Sequence, residues 1–242
     1  VSRVLGVFMG LTMLIASHAF AAGPFYVVSG GTGTTGTSWS DAFGSIQSAV
    51  DAAYAAGGGE VWVGQGTYTG TSSPIVDMKS GVDIYGGFGG TEKYREERDS
   101  VANVTTISGA NTTNGFAWYT CVQGANSATL DGFTLLKGGG YVGGIHNDSV
   151  SPTVSHCIFS QCEGALGGAV NNKSSSSTFT YCTFTAGDGG YFGGGIYNVD
   201  SSPTIKHCTF TENLANNGGA IYSTGNGAVT VFSCKFDGNE AY

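Results

Sequence analysis

The chain has 242 residues, of which only 11% are charged and 42 are glycine, and its formal net charge is −8. This acidic balance argues against nucleic acid and against anionic membrane surfaces as partners. Glycine at this level without a Gly-X-Y period excludes collagen, and an apolar content of 40% excludes a disordered chain.

Residues 1–22 read as a secretory signal peptide. Arg3 supplies the positive start, Val4 to Ala16 form an apolar run, and Ala19-Phe20-Ala21 is a small-x-small cleavage site. Thirteen apolar residues are too few to span a bilayer as a helix, so no membrane insertion of the mature segment is expected. Residues 23–100 are assigned to an N-terminal cap and the first coils. Phe25 to Val28 reads as a short strand. Phe43, Ile46, Val50 and Ala53 then recur at helical spacing, predicting a helix over 40–56 with Ser40 as N-cap and Gly57-Gly58-Gly59 as its stop. Glu60 to Val63 is the next strand, followed by a turn from Gly64 to Tyr68. Val82 to Tyr85 is another strand, ended by Gly86-Gly87. The dense charge cluster between Thr91 and Ser100 reads as a solvated loop whose local ion pairs contribute little.

Repeats occupy residues 101–242. Regular coils begin near Val104, with Cys121 to Asn126 an irregular connection before the strand at Leu130 to Leu135. From Gly138 onward two marks keep one period. Ile145, Val170, Ile196 and Ile221, each preceded by glycine or Gly-Ala, are separated by 25, 26 and 25 positions. Cys157, Cys182, Cys208 and Cys234, each followed at plus two by phenylalanine, step by 25, 26 and 26. A glycine-rich unit of this length encloses no core alone and must stack on its neighbours. Cys and Phe two apart leave a strand on one face. Val154, Phe179, Ile205 and Val231 stand three residues before the cysteines, an odd number that requires a bend between them. The glycines before Ile or Val mark positive φ or close backbone approach.

Each unit is therefore one coil of a parallel β-solenoid, with equivalent residues stacked about 4.8 Å apart. Phe159, Phe184, Phe210 and Phe236 form an internal aromatic column, which backward extension by 26 carries to Phe133 and then Ile107. Asn147, Asn172 and Asn198 form a second column of turn asparagines able to hydrogen-bond along the ladder. The four cysteines form a third, a stack of reduced thiols acting as small hydrophobes. Parallel strands in register suit disulfide torsions poorly, and a linear ladder gives no zinc tetrahedron. Cys121 and Cys162 lie off that column, and their redox state is open.

Gly-Gly-Ala-Val, Gly-Gly-Ala-Ile, and the Phe-x-x-Asn of Phe210 to Asn213 and Phe236 to Asn239 resemble the polymorphic outer membrane protein repeat. The likeness covers 138–242, with weaker similarity from Phe25. Cys162 and Gly187 depart from it by standing where the repeat has asparagine. The resemblance implies an all-β, right-handed parallel β-helix of the pectin-lyase-like superfamily with an N-terminal capping helix. It also implies a secreted or outer-membrane surface protein, an adhesin or autotransporter passenger.

No catalytic constellation stands out. The acids Asp131, Asp148, Glu163, Asp188, Asp200, Glu212 and Asp237 fall one or two per coil in no evident common column. The arginines of the mature chain, Arg95 and Arg98, both lie in the charged loop. His156 and His207 flank Tyr181 across two coils and face outward, too far apart for one metal. Weak calcium binding at turns such as Asn198 and Asp200 is the one cofactor to consider, although the Gly-Gly-x-Gly-x-Asp nonapeptide is absent. Tyr141, Tyr191, Tyr197 and Tyr222 are expected to be exposed and to suit contact with a glycan or a host or neighbour-cell surface protein. The expected function is non-catalytic adhesion or structural display. The alternative is a polysaccharide-binding or polysaccharide-degrading lyase or hydrolase whose catalytic coil lies beyond this sequence. No closing unit follows Phe236, so the chain is expected to continue past Tyr242 or to self-associate end to end.

Overall fold

The computed structural model describes residues 22–110 and 119–242; the predicted signal peptide lies, apart from Ala22, outside them. The chain winds into a parallel β-solenoid with three long sheets of eight, seven and six strands. Every residue-by-residue pairing within these sheets is parallel, joining one coil to the next. One coil runs Thr153–Ser155 in the first sheet, Ile158–Ser160 in the second and Val170–Lys173 in the third. From Thr129 onward the strands of the three long sheets are three or four residues, and those of the first two are rich in Thr, Val, Ile and Phe, whose branched or flat side chains fit a pleated, stacked surface.

Each sheet sends one unbroken apolar column inward. In the first sheet Val61, Ile84, Leu130, Val154, Phe179 and Ile205 stack in register, all of them 0% exposed. In the third, Val76, Val122, Ile145, Val170 and Ile196 do the same. In the second, Phe159, Phe184, Phe210 and Phe236 stack with ring centroids 4.7, 4.5 and 5.0 Å apart and planes within 8°. The residue beneath Phe159 is Leu135, with Ile107 and Tyr68 below that. Phe133 is therefore not a member of this column. It pairs with Thr105 and stands at the head of the cysteine column, since its neighbour Thr134 pairs with Ile158. A constant step of 26 misplaces it because loop length varies from coil to coil, while hydrogen bonds and core columns set the register. Positions two apart share a face, so the pattern did not separate them.

The bend between first and second sheets is a single left-handed residue: His156, Tyr181, His207 and Ser233 have φ between 49° and 54°. The N–H groups of the first three stay bonded, His156 to Thr180 O and Tyr181 to Lys206 O at 3.1 Å and His207 to Phe232 O at 3.0 Å. The glycines entering the third sheet have two separate reasons. Gly167, at φ +81°, turns the chain; a Cβ on Gly168 would sit 2.3 Å from the Gly194 carbonyl of the next coil.

The helix runs from Ile46 to Ala55 and starts at Ser45, not Ser40. Residues 42–44 are extended because Phe43 is tied to the first strand through Tyr26 O and Val28 N, at 2.9 and 3.0 Å. The helix buries Ile46, Ala49, Val50 and Ala53 into the same core as Val27 and Val61. Three further sequence assignments shift. Gly66–Tyr68 is a strand of the second sheet rather than a turn, and Val82–Phe88 continues through Gly86-Gly87. Val122–Gln123, expected to be irregular, belongs to the third sheet.

Candidate functional site

The asparagines predicted for turns lie within third-sheet strands and point inward, Asn147 and Asn172 0% and Asn198 1% exposed. Asn147 Nδ2 donates to Asn172 Oδ1 and Asn172 Nδ2 to Asn198 Oδ1, each at 2.8 Å. Asn198 Nδ2 continues to Ser223 Oγ at 3.1 Å. This ladder builds the solenoid wall, with Asn198 in a strand rather than a turn.

The thiols also face inward. Sγ of Cys157, Cys182, Cys208 and Cys234 reaches the carbonyl of Leu130, Val154, Phe179 and Ile205, respectively, at 3.6 to 3.7 Å. All six cysteines are free. Burial pushes the Cys157 and Cys162 thiols up to about 12, which keeps them protonated and poor nucleophiles. Cys162 has a stand-in role: its Sγ reaches Leu135 O at 3.4 Å, where Asn213 and Asn239 Nδ2 reach Phe184 O and Phe210 O at 2.9 Å. The thiol thus replaces the asparagine of Phe-x-x-Asn as donor to the preceding coil.

The outward face of the third sheet is different. Alternation along its strands turns His146 and Asp148, Asn171 and Lys173, and Tyr197 and Val199 away from the core. The glycine-rich loops that precede these strands carry Leu166, Phe192 and Asn217, bridged coil to coil into a ridge beside the sheet. Under it Asn171 is 3% and Tyr197 8% exposed. Tyr197, expected at the surface, is instead flanked by rings, with Phe192 at 5.7 Å and Tyr222 at 6.0 Å. Tyr141 and Tyr191 do project, at 67% and 62%.

Between ridge and sheet lies a cavity of about 320 Å³, lined by Tyr141, His146, Asp148, Asn171, Lys173 and Tyr197 among others. Lys173 Nζ sits 3.0 Å from Asp148 Oδ2. Burial lowers the pKa of His146, with Asp148 opposing and Lys173 assisting, so the imidazole is neutral near pH 7 and both donates and accepts. A second, more open depression of about 510 Å³ lies over the loops and is lined by Glu163, Asp188, Tyr191 and Asn216. Glu163 and Asp188 occupy bridged backbone positions on neighbouring coils, a pairing of two of the seven acids that the residue types did not reveal; Leu214 follows Asp188 in the next coil. Asp188 Oδ1 accepts from Gly190 N at 2.8 Å.

A third cluster lies at the bend between first and second sheets. Asp131, buried, accepts from Arg98 and Ser155 and lies 3.0 Å from His156 Nδ1. The charged loop is thus pinned to the solenoid, not simply solvated. His156, Tyr181 and His207 stack in sequence at 5.3 and 4.9 Å with planes 11° apart. The stack stays open to solvent, with Tyr181 55% exposed. Among the described residues no group of three His, Cys, Asp or Glu is arranged to hold a metal.

Residues 98–242 match the family model described as right handed beta helix region. The chain belongs to that family. This β-helix also resembles the crystal structure of a candidate glycosyl hydrolase from Parabacteroides merdae, with TM-score 0.50 and 15% identity over 81% of this chain and 88% of that one. That likeness is one of fold. A search of curated proteins gives no match.

Proposed function

We propose that this β-helix is a secreted or cell-surface module that binds an extended glycan along the outer face of its third sheet, serving adhesion or display. The observation that carries the reading is the groove itself. Its outward positions His146, Asn171, Tyr197 and Tyr222 are stacked one per coil along the solenoid axis, beside the bridged loop residues Leu166, Phe192 and Asn217, so a linear polymer lying along the axis passes a polar or aromatic position at each of these coils. Sugar recognition needs donors and acceptors beside apolar ring surface, and the exposed ring of Tyr141 beside His146, Asp148 and Lys173 supplies that mixture. Membership of the outer-membrane repeat class and display by autotransport belong to the same proposal, supported by the Gly-Gly-Ala and Phe-x-x-Asn residues.

The test is co-sedimentation of the purified chain with insoluble polysaccharides, alongside Tyr197→Ala and Tyr222→Ala. Retention that both variants lose, with their melting still cooperative, supports the reading; retention on no polysaccharide refutes it. A second reading, glycan hydrolysis, is favoured by the placement of Glu163 and Asp188 at bridged backbone positions of adjacent coils in one depression, since glycosidases work with paired carboxylates. Release of reducing ends by the wild type, lost in Glu163→Gln and Asp188→Asn, would establish it instead.

A further inference from the structure

Building on the glycan-binding reading, we infer that the ligand of the groove is an uncharged hexose polymer and that polyuronates are rejected. The charged side chains lining the two depressions are Asp148, Glu163, Asp188 and Lys173. Three are anionic, and the single cation is already engaged 3.0 Å from Asp148. His146 adds no positive charge, because burial draws its pKa down. The remaining polar lining consists of phenols and amides, which suit hydroxyl groups as donors and acceptors.

A carboxylate on each sugar would call for guanidinium or ammonium partners or a bridging cation. The arginines nearest the solenoid wall are committed elsewhere, Arg98 to Asp131 and Arg95 to Glu60. A net charge of −8 adds a repulsive long-range field to the local one. Like-charge juxtaposition of this kind excludes wrong partners more than it strengthens right ones. With no unengaged lysine or arginine in the lining of either depression, neutral hydroxyls are selected.

The experiment is calorimetric titration of the full chain with hexasaccharides of glucose, mannose and galactose and with hexagalacturonate, at low and high NaCl. At least one neutral hexasaccharide should bind about tenfold or more tightly than hexagalacturonate at low salt, with the gap narrowing as added salt screens the repulsion. The Asp148→Asn, Glu163→Gln, Asp188→Asn triple variant should gain hexagalacturonate affinity by about tenfold as Lys173 is released. Equal or tighter binding of hexagalacturonate by the wild type, with or without added Ca2+, overturns the charge selection. If Tyr197→Ala abolishes that binding, the glycan-binding reading survives on its own. Binding of no saccharide by a chain that sediments with no polysaccharide overturns both.

Discussion

Phe210 shows how much one side chain carries when coils share a core. It is 0% exposed and lies between Phe184 at 4.5 Å and Phe236 at 5.0 Å. Phe210→Ala removes contacts to both neighbours and should cost about 3–5 kcal/mol in denaturant unfolding; melting with the wild type would mean the column is not packed as described. Asp131 carries a different load. Burial raises its pKa, but hydrogen bonds from Ser155, His156 and Arg98 more than reverse this, so the carboxyl ends below its ordinary value. Its folded pKa is therefore lower than its unfolded one. The stability this brings is complete above the unfolded value, about 3.9, and is lost as pH falls from there through the folded value. Asp131→Asn should accordingly flatten the fall of Tm below about pH 4, and a fall as steep as that of the wild type would show the network to be idle. At the same scale, three contacts eluded a reading by residue type yet were available from the period. Asp131 and His156, Asp148 and Lys173, and Glu163 and Asp188 each stand one 25-residue coil apart. Charged residues obey the same stacking geometry as the Phe, Cys and Asn columns.

At the scale of elements, the loops and strands entering the third sheet set the groove. The Gly167-Gly168 pair divides its work between a left-handed turn and a close approach to the Gly194 carbonyl. Gly168→Ala forces a Cβ against backbone that cannot rotate away, so the coil must open. It should lower Tm as a core substitution does, with amide exchange quickening first around Val170 and Ile196; exchange unchanged there would place the ridge outside the cooperative unit. The Asn ladder is the inner counterpart. Asn172 Nδ2 and Oδ1 bond to both adjacent coils, and Asn172→Ala leaves two buried amides short of a partner, at about 1–3 kcal/mol each. Asparagine alone reads equally as a turn residue or a strand residue. Its inward placement follows from Ile145, two positions earlier, which faces the core.

For the whole molecule, recognition along an axis makes affinity depend on length. A hexasaccharide spans several coils and a disaccharide one or two, so binding should strengthen at least about tenfold between them before levelling off. Equal affinity for both would move recognition into the single 320 Å³ cavity and away from the axial groove. Among the described residues no helix is long and apolar enough to cross a membrane, and the wall of the solenoid is entirely strand and turn.

Sequence by itself determined the architecture. Two marks in one period of 25 to 26 residues can be satisfied only by coils stacked in register, because a short glycine-rich unit buries its apolar face in no other way. The bend before each cysteine was legible as well, since an odd spacing cannot keep two residues on one face of a strand. Only the tertiary structure decided the exact register and how the loops lie over the outer faces. Loop lengths shift the register by a residue or two, enough to place Leu135 rather than Phe133 beneath Phe159. Outward side chains have no core to enforce their pattern. Their neighbours are decided by how the loops fold back, and that folding brings Leu166 and Phe192 over Asn171 and Tyr197 to make a groove of an otherwise flat sheet.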